Sequence, residues 1–278
     1  MAGRHSRLET SEAEMSKTFL AFVLLENPVN PDVVALAEAL RSRYPQLATE
    51  MGNGDAAGVR QGSSASVIRC GDQLVTVMSM PTPIPQDPGL WSRAATAWPE
   101  AKAVAARHRG HLMISVLGQN QQLLPTARLM TAVIGALIAT VPQCCAVVWD
   151  GKVARPADLW LHLSTQSYAP FPDYPFALWV DVLPFRSEPG IGAVTMGLSA
   201  FAGREIEFET SRLTLAASIE KVVGLAVYLI EHGRVLRDGD TFGGDVHERI
   251  AVRYKNSDRF NDMPVFLCTH SPVVVEHS

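Results

Sequence analysis

The stretch FLAFVLL, residues 19–25, is a continuous apolar run that forms the first recognisable element of the chain. A short run that is apolar at every position, rather than at alternate positions, is typical of a β-strand covered on both faces. Asn30 and Pro31 then provide a helix cap and a proline at the first helical position, and Tyr44 and Pro45 mark the end of that helix. The chain is therefore expected to open with a buried strand followed by a helix.

Outward from this strand, strand and helix patterns alternate in a familiar order. Residues 67–69 and 74–80 are rich in β-forming side chains around a turn at Gly71, an apolar helix pattern covers 91–105, and 111–117 is another strand pattern. The order strand, helix, strand, strand, helix, strand is that of the split βαβ unit of ferredoxin-like domains. A long helix pattern follows, and after it a looser second set of strands and helices.

The sequence thus predicts an α+β fold of two ferredoxin-like halves, related as a diverged duplication, with mostly antiparallel sheets and helices packed on one face. A chain of 278 residues is long enough to bury a large core without disulfides or metals. The predicted segments are a disordered tail at 1–18, an N-terminal half at 19–118, a connecting helix at 119–143, a C-terminal half at 144–270 and a tail at 271–278.

Composition and charge argue against two classes of partner. The net charge of −4 creates no field that attracts a phosphate backbone, so nucleic-acid binding is not expected. No run reaches the roughly 18 consecutive apolar residues of a membrane span, so no membrane role is expected either. The chain has no recognisable signal peptide and no C-x-x-C pair, which predicts reduced thiols and a cytoplasmic protein. The four cysteines are Cys70, Cys144, Cys145 and Cys268.

The sequence contains no complete motif for a metal or a cofactor. The loop from Asp238 begins like a calcium loop, but Arg249 occupies the twelfth position, where a bidentate glutamate is required. Gly190 and Gly192 lack the third glycine of a dinucleotide site, and neither a nucleophile elbow, a phosphate loop nor a zinc-protease helix is present. We therefore expect no metal and no cofactor.

The candidates for acid–base chemistry are His111, Glu205 and Glu207. His111 lies at the start of a strand pattern, which is a rigid position for a base. Glu205, Glu207 and Glu209 alternate, so they are expected to project from one face of a strand. Clustered carboxylates raise one another's pKa and then serve as acids or bases, but such a row is equally typical of a solvated face.

Several segments together resemble the uncharacterised bacterial family called domain of unknown function 4261. The similarity is expected to extend over residues 19–268 and to be strongest in the T-x-G-L, G-R-E-I-E and D-G-D-T-x-G elements between residues 195 and 243. The resemblance implies a cytoplasmic bacterial protein, but it implies no activity. The positions that match the family include His111, Glu205, Glu207, Asp238 and Thr241.

The function that we predict is a non-enzymatic binding protein, an adaptor, regulator or immunity-type partner of another protein. The predicted contact residues are Asp238, Asp240 and Thr241 of a surface loop, together with Glu205 and Glu207. Two alternatives stay open. One is a hydrolase or transferase that uses His111 with Glu205 or Glu207, and the other is a small-ligand sensor that binds between the two halves. The aspartates of the loop could instead only bond to backbone within their turn.

Overall fold

The computed structural model describes residues 19–48, 59–61, 65–117, 122–188, 190–243 and 248–270. The strands are β1 (Leu20–Leu25), β2 (Val59–Gln61), β3 (Ala65–Cys70), β4 (Gln73–Met80), β5 (Gly110–Leu117), β6 (Cys144–Trp149), β7 (Val153–Pro156), β8 (Asp181–Arg186), β9 (Ile191–Met196), β10 (Glu205–Thr210), β11 (Thr241–Phe242), β12 (Ile250–Asn256) and β13 (Pro264–His270). The helices are α1 (Val33–Arg43), α2 (Pro45–Ala48), α3 (Pro88–Ala94), α4 (Ala101–Arg107), α5 (Leu123–Thr140), α6 (Ala157–Leu163), α7 (Ser199–Ala202) and α8 (Leu215–His232), with 3₁₀ turns at Ser164–Gln166 and Phe176–Leu178.

The first sheet has seven strands in the order β2-β3-β4-β5-β1-β6-β7, and all neighbours are antiparallel. Its strand β1 lies between β5 and β6, and the carboxyl half of this strand is covered on both faces. Val23 and Leu25 point into the large core with α1 and α5, whereas Leu24 packs into a smaller core with α3 and α4. The strand predicted from the FLAFVLL run is therefore present, and it is covered on both faces at its carboxyl half, whereas Leu20 and Phe22 are only partly buried.

The second sheet has six strands in the order β11-β12-β13-β10-β9-β8. All of its pairs are antiparallel except β10 and β13, which run parallel. Helix α8 packs across β8, β9 and β10, against an inner face that includes Ile206 and Phe208. Thr214 caps α8 at its start, and Gly233 ends it.

One continuous core joins the two sheets. Phe19 at the start of β1 contacts Phe201 of α7, with ring centroids 5.1 Å apart. Trp149 of β6 contacts Trp179 at 6.3 Å, and the Trp179 indole donates a hydrogen bond of 2.8 Å to the Thr131 hydroxyl of α5. The two sheets therefore share one buried interior rather than meeting across a polar surface.

The α+β class and the mostly antiparallel sheets are confirmed, but the ferredoxin-like arrangement is not. Strand β5 pairs with both β4 and β1, so the order β3-β4-β5-β1 differs from the split βαβ order. Strands β6 and β7, which the sequence assigns to the C-terminal half, join the first sheet. The two sheets also have different strand orders, so a duplication is not confirmed. The order of elements along a chain does not determine which strands become neighbours.

The expectation that helices pack on one face is wrong for the first sheet. Helices α1, α5 and α6 lie on its large-core side, and α3 and α4 lie on the opposite side. Trp91 and Ala94 of α3 and Val104 of α4 are buried there against Val148 of β6 and Ala154 of β7. The segment before α3, which contains Pro81, Pro83 and Pro85, carries the chain to this second face.

Helix α5 is long and apolar enough to cross a membrane by length and composition, and it is the one such helix in the described part of the chain. However, 61% of its apolar window is buried inside the protein. Every residue from Leu129 to Leu137 is buried, including Met130, Val133 and Ile134. These contacts are those of a core helix.

Candidate functional site

The buried carboxylate of Glu205 is held within the fold. Its oxygens accept a hydrogen bond of 2.7 Å from the Thr195 hydroxyl and bonds of 2.9, 3.0 and 3.1 Å from the backbone N–H groups of Gly197, Leu198 and Ser199. The side chain thereby satisfies the free N–H groups at the start of α7, and Glu205 is 1% exposed. The T-x-G-L and G-R-E elements thus meet in one network that shapes the connection from β9 to β10.

The other two glutamates of β10 lie on the same outer face of the second sheet, as the alternation predicts. Arg259 lies over both: its Nε is 3.6 Å from an oxygen of Glu207, and its Nη2 is 3.0 Å from an oxygen of Glu209. The carbon of the same guanidinium lies 5.4 Å from the Phe185 ring centroid, and the Phe185 ring meets Phe260 edge-on with centroids 5.6 Å apart. Glu207 is buried under this cover, so its carboxylate is not open to a partner.

The D-G-D-T segment covers the outer edge of β12. The Asp238 carboxylate accepts a hydrogen bond of 2.8 Å from the backbone N–H of Tyr254, and the backbone carbonyl of Asp240 accepts one of 2.8 Å from Val252. Between them, the N–H of Gly239 donates to the carbonyl of Val252, and Gly239 has a φ of 90°, which favours glycine. An uncovered strand edge is a site of unwanted pairing, and this segment closes it.

The remaining contacts of this segment are also internal. The Asp240 carboxylate accepts a hydrogen bond of 2.8 Å from the N–H of Arg237, and Thr241 begins β11, where it pairs with Ala251. The three residues predicted to contact a partner therefore lie at the surface but bond to the chain's own backbone. These contacts favour the alternative that the aspartates hold their turn.

His111 lies in the first sheet, apart from the glutamates of the second. Its Nδ1 is 2.8 Å from the Thr82 carbonyl oxygen, and its ring meets Phe22 edge-on with centroids 5.4 Å apart. Burial lowers the pKa of His111, the Thr82 carbonyl opposes this effect, and His108 adds to it. His108 is itself buried, and its Nε2 accepts a hydrogen bond from the N–H of Ile84. The partners of His111 and of Glu205 are separate sets, so no acid–base pair is assembled from them.

Possible metal ligands and cysteine thiols were compared among the residues that the structure describes. In these ranges no group of three or more His, Cys, Asp or Glu side chains is placed to hold a metal ion. All four cysteines are free thiols. Burial raises the thiol pKa of Cys145 to about 11 and those of Cys144 and Cys268 to about 12, so these three sulfurs stay protonated and weakly nucleophilic near neutral pH.

A cleft lies between the first sheet and the second, at the amino end of α5. Two concavities of about 480 and 630 Å³ flank Arg128, one toward the β3–β4 turn and the other toward the carboxyl end of α8. Arg128 lies over the ring of Tyr174 and donates to the Ala169 carbonyl, while its buried Nε has no hydrogen-bond partner in the described part of the chain. The residues that line the two concavities come mainly from the β3–β4 turn, α5 and the carboxyl end of α8.

One face of the first sheet, which we call the open sheet face, is only partly covered by the residues that the structure describes. Helices α3 and α4 cover β6, β7 and the carboxyl end of β1, and Phe22 of β1 packs at the margin of that cover. Beyond this margin, the alternate side chains of β3, β4 and β5 point to the same side, and all of them except the buried His111 are at least partly exposed. The apolar members of the open sheet face are Leu20, Phe22, Val67, Leu74, Met78, Met80, Met113 and Leu117, of which Leu117 is 50% exposed.

The open sheet face is continuous across four strands. The register places Met78 of β4 beside Met113 of β5, and Met113 beside Phe22 of β1. In the neighbouring row, the hydroxyl groups of Thr76 and Ser115 bond to each other at 2.7 Å, so this polar pair is already satisfied. The face is therefore apolar, with its central polar groups paired.

Sequence reasoning placed the strands of this face but not their exposure. Strands β4 and β5 carry apolar residues on both sides. Within the described ranges, the large core covers these two strands on one side only. The signal was present in the alternate residues from Leu74 to Met80 and from His111 to Leu117, but only strand order shows that α3 and α4 lie too far across the sheet to reach them.

The comparison with protein families matches residues 194–264 to a model described as Domain of unknown function (DUF4261). The comparisons with curated proteins and with solved structures found no match. The matched segment runs from β9 to the start of β13 and contains both the Glu205 network and the D-G-D-T segment. The wider similarity predicted for residues 19–268 is matched in this part. Over residues 194–264, the chain resembles the family described as a domain of unknown function.

Proposed function

We propose that this chain is a non-enzymatic binding protein that acts on another protein in the bacterial cytoplasm, as an adaptor, regulator or immunity-type partner. The observation that carries the proposal is the open sheet face. Apolar patches that extend over several strands are uncommon on monomeric soluble proteins, and they mark surfaces where another protein binds. Methionine side chains at such a surface adapt to the shape of the partner.

The positions of the polar residues support a binding function over an enzymatic one. The Glu205 carboxylate accepts hydrogen bonds from backbone N–H groups at the start of α7, and the Glu207 carboxylate lies under the Arg259 guanidinium. The His111 ring is hydrogen-bonded to the Thr82 carbonyl. A hydrolase or transferase would need a base and an acid beside one concavity. The two concavities at the α5 cleft are lined by other residues.

The test is a charge placed on the open sheet face. Met78→Glu with Met113→Glu puts two carboxylates where an apolar partner would have to bury them, whereas Val34→Glu adds a carboxylate on α1, where the wild-type side chain is 64% exposed. The partner used in this test is a protein that co-purifies with the chain from the native host and is then produced in pure form. We expect the double variant to bind this protein about tenfold or more weakly, and Val34→Glu to bind it with unchanged affinity.

Circular dichroism and thermal unfolding of both variants establish that they are folded. Full affinity in a folded Met78→Glu, Met113→Glu variant would contradict the proposal. A partner that binds elsewhere would be retained equally by both variants.

A small-ligand sensor is the second candidate, because Arg128 leaves a buried Nε without a partner between two concavities. A carboxylate or phosphate group is the chemistry that a guanidinium binds. The probe is citrate or inorganic phosphate, titrated while thermal unfolding is followed. A saturable rise in the unfolding temperature that Arg128→Leu removes would support this candidate, and an equal response in both proteins would contradict it.

A further inference from the structure

The segment that links β4 to α3, residues 81–87, is held by few hydrogen bonds, and we call it the connector. Three of its residues are prolines, which have no backbone N–H to donate. In the described part of the chain, the hydrogen bonds to the backbone of residues 81–86 are those made by two histidine rings, His108 and His111. Ile84 is 7% exposed and buried, whereas the residues on either side of it in the connector are exposed. The connector is therefore anchored at one side chain and held by two titratable groups.

His108 holds the connector in a geometry that requires the neutral ring. Its Nε2 accepts a hydrogen bond of 3.0 Å from the backbone N–H of Ile84, and its Nδ1 lies 2.6 Å from the Ala105 carbonyl oxygen. A carbonyl oxygen only accepts, so Nδ1 carries the proton and Nε2 has the free lone pair. Protonation adds a hydrogen at Nε2 that points at the Ile84 N–H, and two donors do not bond to each other. Because His108 is buried, the Ile84 N–H then loses its partner inside the fold.

We propose that His108 is an acid-sensitive latch, whose neutral ring holds the connector and whose protonation releases it. Release of the Ile84 N–H frees the side chain that anchors the connector in the smaller core. There Ile84 lies with Leu90 and Trp91 of α3 and with Val104 of α4. Loss of this anchor loosens the layer that α3 and α4 form on the second face of the first sheet. The latch acts within this chain and does not depend on the open sheet face or on a partner.

His111 holds the connector in a way that does not require a neutral ring. Its Nδ1 lies 2.8 Å from the Thr82 carbonyl oxygen, so Nδ1 donates, and this N–H is present in both the neutral and the protonated ring. Protonation of His111 therefore keeps its bond to the connector. The acid sensitivity belongs to His108, and His111 is the matched control.

In the described part of the chain, no carboxylate forms an ion pair with His108. Of the carboxylates on the adjoining segments, Glu26 pairs with Arg107 at 3.9 Å, and Asp87 accepts a hydrogen bond from the N–H of Leu90. The other charged or titratable groups on the surrounding elements are Arg93, Arg109, His111 and Cys145. Burial first, and then His108, lower the pKa of His111, so the two rings oppose each other's charge. A protonated His108 therefore has no counter-ion among these residues.

Amide hydrogen exchange, followed by NMR on the full-length chain, tests the latch. The exchange rate of the Ile84 amide, divided by its intrinsic rate at each pH, gives its protection at pH 7.5 and 5.5. We expect this protection to fall about tenfold at the lower pH, relative to the amides of β1 in the middle of the first sheet, because a buried N–H loses its acceptor. His108→Gln supplies an amide oxygen that accepts but does not titrate, so the pH response should disappear in this variant. His111→Gln should retain the response.

Several results would overturn the latch. These are an Ile84 protection that changes no more than that of β1, an equal pH response in His108→Gln and the wild type, a response that His111→Gln removes, and an equal loss of protection at all amides. If His108→Gln does not fold, the ring-nitrogen NMR shifts of the wild-type protein decide. The expected result is a proton on Nδ1 of His108 at pH 7.5 and a titration of this ring that coincides with a shift of the Ile84 amide. A ring that stays neutral at pH 5.5, or that titrates without a response at Ile84, would contradict the proposal.

Discussion

At the residue scale, the polar residues that attracted functional interpretation are mostly structural. Glu205 accepts four hydrogen bonds, Asp238 accepts one from a strand edge, and Glu207 lies under Arg259. The sequence predicted correctly that the glutamates share one face. It could not show their bonding, because the donors come from a loop and a strand whose positions depend on the fold.

The Glu205 network predicts a stability effect. Glu205→Gln keeps the size of the side chain but replaces one acceptor oxygen by an NH₂ group that faces backbone N–H donors. We expect a loss of about 1.5–3 kcal/mol in the free energy of unfolding, measured by urea denaturation, since the lost bonds are to a charged group. Glu220→Gln, at an exposed position of α8, is the control and should stay within about 0.5 kcal/mol. Equal stability of the two variants would contradict a structural role for Glu205.

The burial of His111 predicts a pH dependence. Because burial lowers its pKa below the usual 6.5, the unfolded chain takes up a proton at a higher pH than the folded protein does. The stabilising contribution of neutral His111 is therefore complete above about pH 6.5 and declines as the pH falls through the folded pKa. We expect the stability difference between pH 7.5 and 5.5 to shrink in His111→Gln. An unchanged difference would mean that His111 titrates normally in the fold.

At the element scale, the D-G-D-T segment is the clearest case where a motif has a structural explanation. Asp238→Ala with Asp240→Ala removes two side-chain hydrogen bonds to backbone, from Tyr254 and Arg237. We expect a loss of about 1–3 kcal/mol in unfolding free energy, at 0.5–1.5 kcal/mol for each bond, and unchanged affinity for a partner. Asp173→Ala, another exposed aspartate, is the control. Unchanged stability with weakened binding would restore the loop to the contact surface.

The two 18-residue helices contain a matched pair of glycines with opposite predicted effects. A Cβ at Gly224 of α8 would have nothing within 4 Å, so Gly224→Ala should stabilise the protein by about 1 kcal/mol through helix propensity. A Cβ at Gly135 of α5 would lie 2.2 Å from both the Tyr44 hydroxyl and the Ser164 hydroxyl, so Gly135→Ala should destabilise it. Thermal unfolding measures both. A destabilising Gly224→Ala would show that the exposed face of α8 has a contact that requires glycine.

Element types were more predictable than element neighbours. The apolar run of β1, the capped helix α8 and its end at Gly233 follow from local patterns. Strand order does not, because β6 joins β1 through contacts more than 100 residues apart in sequence. Because β6 pairs with β1 and β7 pairs with β6, both strands belong to the first sheet, whose strand order is not the ferredoxin-like one.

At the scale of the whole molecule, the two sheets form one protein around a shared aromatic core. The Arg155 guanidinium of β7 pairs with the Asp181 carboxylate of β8 at 2.5 Å, which ties the edges of the two sheets together. The same assembly leaves one side of the first sheet incompletely covered. The proposed function requires that another protein covers the open sheet face in the cell.

Methionine oxidation tests this requirement directly, because methionine side chains lie on the open sheet face and their rate of oxidation reports their exposure. Met78 and Met113 are partly exposed on the open sheet face, Met196 and Met263 are partly exposed on the second sheet and its adjoining loop, and Met130 is fully buried. Brief peroxide treatment of the purified chain and of cells of the native host, followed by mass spectrometry, compares their rates of sulfoxide formation. We predict that Met78 and Met113 oxidise about tenfold more slowly in the cell, relative to Met196 and Met263. An unchanged ratio would contradict the claim that a partner covers this face.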